Sequence, residues 1–93
     1  MAYIKVRNKK GTSSKTPPSG YSSWLEYWED KKGQKATVCK AYGCDGSADV
    51  GGHVIKSGHG GKEYILPICN SHNALSESEE YTAWEGDLVP VHP

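Results

Sequence analysis

The sequence has no Phe, a single Met, and few aliphatic residues: six Val, four Ile and four Leu among 93 positions. A fraction this low goes with disorder when net charge is high. Here basic and acidic residues balance at 11 each, and three Trp and six Tyr supply apolar area by another route. A folded domain is therefore expected, and the length suits one domain, residues 1–93. A domain this small and this poor in Leu, Ile and Val usually needs a staple, either a metal or a disulfide.

Long apolar runs are also missing. Nothing approaches the roughly 18 apolar residues of a membrane span, and no apolar leader opens the sequence. The chain reads as cytoplasmic, with no membrane partner expected. Only three cysteines are present, Cys39, Cys44 and Cys69. An odd number cannot pair fully within one chain. In a reducing compartment, clustered Cys and His point to metal more than to a disulfide. The competing reading is an exported protein with one disulfide and one free thiol.

The zero net charge is made of two unlike halves. Residues 1–35 carry eight Lys/Arg against three acids, and residues 36–93 carry three Lys against eight acids. Lys5, Arg7, Lys9, Lys10 and Lys15 come with no acid among them. Such an arm can steer toward phosphate, or it can complement the acidic half of its own domain.

"YIKVRN" alternates, with Ile4 and Val6 on one face and Tyr3, Lys5 and Arg7 on the other, which predicts a short strand. "KKGTSSKTPPSG" is dominated by Gly, Ser, Thr and Pro, so residues 1–20 read as a basic strand followed by a flexible loop. "SSWLEYWEDKKG" predicts a helix. Ser23 and Glu26 form a capping box, Trp24, Tyr27 and Trp28 share one face, and Gly33 can close the last turn. Those rings can stack on nucleobases, but in a Phe-free chain they are expected to be core.

"KATVCKAYGCDG" predicts a strand running into a tight turn. "HVIK" and "KEYILPI" predict a hairpin with "SGHGG" at its tip. That glycine-rich tip could also cradle a phosphate. A short helix is expected from Asn70 to about Leu75, and a last hairpin around "EGD" within "EYTAWEGDLVPV". The fold class expected is α+β: a small zinc-stapled domain with short β-hairpins and two short helices.

Cys39 and Cys44 lie five positions apart, Cys69 and His72 three apart, and the intervening chain is long enough for a hairpin. Zinc takes four such ligands in a tetrahedron. Gly43 and Gly46 let the first pair curl so that backbone N–H groups face sulfur, and a helix start at the second pair favours thiolate. Residues 36–75 thus read as the metal-binding core, with Cys39, Cys44, Cys69 and His72 as ligands of a structural Zn²⁺. His53 or His59 could take the place of His72.

"CKAYGC…GGHVI…YILPICNSHN" resembles the zinc-containing HNH-type nucleases of the ββα-metal, treble-clef superfamily, over residues 36–75. Part of it, "GGHV…YILPICNSHN", is similar to small bacterial relatives of these enzymes. The resemblance implies His53 as a general base for phosphodiester hydrolysis and Asn73 as a ligand to a catalytic Mg²⁺, with Lys56 a candidate phosphate contact. The sequence departs from the family pattern at Gly52, where Asp or His commonly precedes the base. It also lacks the central Asn, whose place falls near Glu63 or Tyr64.

Three functions are compatible with these residues. The expected one is a zinc-binding, HNH-like module that binds nucleic acid through Lys5, Arg7, Lys9, Lys10 and Lys56. The alternatives are a Mg²⁺-dependent endonuclease using His53 and Asn73, and a protein-interaction module with structural zinc. No small-molecule cofactor is evident.

Overall fold

A computed structural model describes residues 1–11 and 15–92. Part of the Pro/Ser loop, residues 12–14, and the last residue lie outside that range. The protein is α+β: a five-stranded antiparallel sheet with two short helices. In chain order the elements are β1 (Tyr3–Asn8), α1 (Trp24–Lys32), β2 (Val50–Lys56), β3 (Glu63–Ile68), α2 (Asn70–Asn73), β4 (Tyr81–Trp84), a 3₁₀ turn (Glu85–Asp87) and β5 (Val89–Pro90).

The predicted strand, first helix and central hairpin all form. β2 and β3 pair from Val50↔Ile68 to Ile55↔Glu63, so the hairpin begins three residues earlier than the alternation suggested. In α1 the Ser23 hydroxyl accepts from the Glu26 N–H, and Gly33 closes the helix at φ 69°. The return half of the capping box is replaced, because the Glu26 carboxylate accepts from the Ser22 hydroxyl at 2.7 Å. Tyr27 and Trp28 are buried, as the core reading requires. Their polar ends are satisfied at the chain terminus: Tyr27 Oη donates to Pro90 O at 2.8 Å and Trp28 Nε1 to Asp87 O at 2.7 Å.

Three expectations need correction. Residues 35–46 form no strand. They make two isolated bridges, Val38↔Ser47 and Ala41↔Ala83, because their N–H groups go to several acceptors: Gly46 O, Pro67 O and Thr82 O. α2 is one turn of four residues and ends before Leu75, because Ala74 and Leu75 close it with bonds back to Asn70 and His72.

The last hairpin does not form either. β4 pairs with β1, and β5 pairs with β3, on opposite edges of the order β4-β1-β2-β3-β5. The four residues between them must bridge the whole sheet. Across a flat sheet, four gaps of about 4.8 Å come to roughly 19 Å. Five extended residues reach at most about 18 Å, and a 3₁₀ turn is shorter still. The sheet therefore curls, so that the end of β4 comes within reach of the start of β5 through the Glu85–Asp87 turn.

Alternation sorts the strands onto two faces. Val6, Val54, Leu66, Ile68, Tyr81 and Ala83 bury one face together with Cys39 and Ala41. The opposite face packs Ile65 against Tyr27 and Trp28, with Val89 and Val91. Both faces depend on the Gly51-Gly52 pair. A Cβ at Gly51 would sit 2.7 Å from the backbone of Trp24 and Leu25, so only Gly lets α1 lie this close. A Cβ at Gly52 would sit 2.5 Å from Ile68 Cδ1 on the other side.

Candidate metal centre

The two ligand pairs arrive from separate segments. Cys39 and Cys44 lie in the bridged loop, where Cys44 N–H donates to Ala41 O at 3.0 Å across a turn that holds Gly43 at φ +79°. Cys69 is the N-cap of α2, its Sγ accepting from the His72 N–H at 3.5 Å. His72 lies on that single turn.

The three sulfurs and a nitrogen of His72 all fall within 4.8 Å of one another. Cys44 Sγ is 3.9 Å from Cys69 Sγ, and His72 Nδ1 is 3.8 Å from Cys39 Sγ and 3.3 Å from Cys69 Sγ. A tetrahedron with about 2.3 Å to sulfur and about 2.0 Å to nitrogen has edges of roughly 3.5–3.8 Å. The four donors are thus spaced to hold one metal ion such as zinc. The cysteines are not joined to one another, each being a free thiol. The fourth donor is His72, and neither His53 nor His59 joins the group.

The metal-free thiols are unequal. Burial pushes Cys39 up to about 11. The backbone N–H and then the imidazole of His72 pull Cys69 down to about 6. A buried thiol such as Cys39 loses its proton to solvent at neutral pH only when a cation takes the proton's place on sulfur, and a bound metal would supply that charge. Gly46 N–H adds a bond to Cys44 Sγ at 3.4 Å, and a Cβ there would already touch Cys69.

A residue that the sequence reading passed over holds the metal turn in place. Asn8 is buried at the end of β1. Its Nδ2 donates to the carbonyls of His72 at 2.8 Å and Leu75 at 3.1 Å, with Asn73 O at 3.4 Å. Its Oδ1 accepts from the Tyr81 hydroxyl at 2.7 Å. Burial, then negative charge on Cys39 and Cys69, raises the Tyr81 pKa, so the phenol stays a donor. The signal was in the alternation: after Ile4 and Val6, the next residue on the apolar face is Asn8.

The two residues implied for hydrolysis are not brought together. His53 points to the α1 face, where its ring stands edge-on to Trp24 at 4.8 Å. Its Nδ1 lies 3.4 Å from Glu63 Oε1, and Lys15 Nζ holds that carboxylate at 2.7 Å. His53 Nε2 is buried without a hydrogen-bond partner among the described residues. Asn73 is exposed, with Oδ1 3.4 Å from where a Cβ of Gly52 would be, and so lies over the opposite face of β2. One phosphate cannot touch both side chains through the sheet.

Burial lowers the His53 pKa, against the opposing pull of Glu63. A folded value below the unfolded one of about 6.5 means that the unfolded chain takes up the proton first as pH falls. The His53 contribution is fully present above about pH 6.5 and is lost as pH drops through the folded value. Urea midpoints measured downward from neutral pH should therefore fall less steeply for His53→Gln, by up to one proton. An unchanged slope would show that His53 is not buried neutral.

The basic candidates divide. Lys5 lies on the exposed face of β1, with Nζ 3.0 Å from Thr82 Oγ1. Arg7 shares that face by alternation and reaches Glu77 O at 3.5 Å. The Lys9 N–H bonds His53 O at 2.9 Å, and Lys10 is tied to Glu77 and Asn73 O. Lys56 points elsewhere: it pairs with Glu85 at 3.0 Å and lies over the Tyr64 ring. The tip glycines Gly58 and Gly60 take positive φ, as a hairpin turn needs. Among the described residues, no helix is long and apolar enough to cross a membrane. The chain matches no family model, no curated protein and no solved structure.

Proposed function

We propose that this chain is a zinc-stapled nucleic-acid-binding domain of the HNH-like, treble-clef kind, in which the metal is structural and the His53–Asn73 pair carries out no hydrolysis. The observation that carries the reading is the Cys₃His group. Three thiols and an imidazole make a complete tetrahedral ligand set, and a complete set leaves no position for a reacting water. The order of parts (a loop with two cysteines, a hairpin, then a turn with Cys and His) supports the family likeness. Nucleic acid is favoured as partner by the basic first third of the chain and by the position of exposed Lys5 and half-buried Arg7 on one strand face.

The test has three measurements. Metal analysis of the purified protein should find about one zinc per chain. Binding to DNA or RNA should weaken steeply as salt rises, because phosphate contacts release counterions. Plasmid incubated with Mg²⁺ should show no cleavage that depends on His53. Absence of stoichiometric metal refutes the staple, and salt-insensitive binding refutes the nucleic-acid assignment.

A further inference from the structure

The aromatic residues of the domain divide between core and surface. Tyr27 and Trp28 are buried, but Tyr3 is 58% exposed, Tyr42 67% and Trp84 38%. These three rings form one patch. Tyr3 is the hub, with its centroid 4.9 Å from that of Tyr42 and 4.9 Å from that of Trp84, edge-on to each.

The patch has a definite place in the fold. Tyr3 is paired with Trp84, and Lys5 with Thr82, across β1 and β4. Their partners in alternation, Val6, Tyr81 and Ala83, fill the buried face, so Tyr3, Lys5, Thr82 and Trp84 occupy the other. α1 lies over β2, β3 and β5 on that side, while Tyr3, Lys5 and Trp84 on the β1–β4 half stay exposed. Tyr42 joins from the metal-binding loop, which bonds along β4 through Tyr42 N–H to Thr82 O at 2.7 Å.

We infer that this open half-sheet is a stacking platform for single-stranded nucleic acid: Tyr3, Tyr42 and Trp84 take unpaired bases, and Lys5 and Arg7 take the phosphates beside them. The inference rests on the nucleic-acid reading above and names its surface and substrate form. Bases in a duplex hide their faces, whereas a single strand offers them to any exposed ring. Along this face of β1 run Tyr3, Lys5 and Arg7, an aromatic followed by two cations, of which Tyr3 and Lys5 are exposed and Arg7 is half-buried. That order suits a strand whose bases and phosphates alternate. A purely apolar protein contact would have no use for the two charges. The metal contributes indirectly, because Cys39 and Cys44 anchor the loop that presents Tyr42.

The test compares binding of a labelled single-stranded oligothymidylate with binding of the same oligomer annealed to its complement, using the full zinc-loaded chain. Single strand should bind tighter than duplex. Tyr42→Ala should weaken single-strand binding roughly 5- to 100-fold, as expected for loss of one base stack. Tyr42→Phe should bind like the parent, and Lys5→Ala should reduce the salt slope by about one ion. Zinc content and far-ultraviolet circular dichroism check that each variant folds. Tyr42 is the best choice because its ring is the most exposed of the three.

Parent-like affinity in both Tyr42→Ala and Trp84→Ala overturns the platform. If such variants bind normally while a Lys9→Ala/Lys10→Ala variant does not, the platform fails and the nucleic-acid reading stands. If the parent protein binds neither strand form, both fail. Self-association abolished by Trp84→Ala, with no oligomer bound, would identify a protein contact surface and would also overturn the proposal.

Discussion

Stripping metal from the Cys₃His site, or replacing Cys69 with Ala, is expected to abolish cooperative unfolding and flatten the near-ultraviolet signal of the tryptophans. The magnitudes require it. A domain of this size has about 5–15 kcal/mol of total stability, at the low end when its core is small. A structural zinc contributes about 10–16 kcal/mol at neutral pH. The metal links segments that little else holds. The loop from residue 35 to 49 is attached by isolated bridges and scattered backbone bonds, not by a ladder.

The loss is not confined to that loop. Cys39 and Ala41 are part of the core on the metal side, beside Leu66 and Ile68, and Ile65 of the same strand faces Tyr27 and Trp28. β3 thus carries disorder on one face of the sheet to the other. Circular dichroism and urea titration of chelated protein, with a metal-sensitive dye to confirm release, measure this directly. A metal-free protein with the parent's near-ultraviolet spectrum and urea midpoint would show that the sulfurs are only neighbours.

Much of this architecture was legible, and the reasons divide by range. The alternation of Tyr3–Asn8, the cap at Ser23, the aromatic stripe of α1 and the hairpin around residues 57–61 are local signals, and each element forms. The ligand spacings were also local, two short pairs, and the four donors meet. Apart from the early end of α2, the failures are non-local. "EYTAWEGDLVPV" has the pattern of a hairpin, but nothing in it says that its two arms join opposite edges of a curled sheet. Residues 35–46 have strand-like composition, but they spend their N–H groups on a knuckle and an edge.

The same limit applies to chemistry. A motif places His53 and Asn73 in one line of text, while the pleat of β2 turns His53 to the face opposite the one over which α2 carries Asn73. Gly52 gives way to the metal side and His53 falls toward Trp24. The exposed rings at Tyr3, Tyr42 and Trp84 were invisible as a patch because they come from three distant segments.

Asn8→Leu should destabilise the domain by about 4 kcal/mol and speed zinc release, although Asn8 touches no metal ligand atom. Leu has the same branched skeleton as Asn with methyls in place of the amide atoms, so the change removes polarity with a modest gain in bulk. It orphans the Leu75 carbonyl and the buried Tyr81 hydroxyl, and leaves the His72 carbonyl with only the Leu75 N–H. Each orphaned buried group costs about 1–3 kcal/mol. The His72 carbonyl belongs to the ligand turn itself, so the imidazole loses the brace that fixes its reach.

A double variant separates this from simple core damage. Tyr81→Phe removes the hydroxyl that Asn8→Leu strands, so the pair should cost less than the sum of the two single changes. The coupling expected is about 1–2 kcal/mol, since removing both partners of a hydrogen bond spares the desolvation penalty of either. Urea midpoints give the energies, and competition with a chelating dye gives the zinc release rate. Strict additivity would mean that Asn8 and Tyr81 are not bonded. A destabilised Asn8→Leu protein that releases zinc at the parent rate would mean that the brace supports the sheet and not the metal.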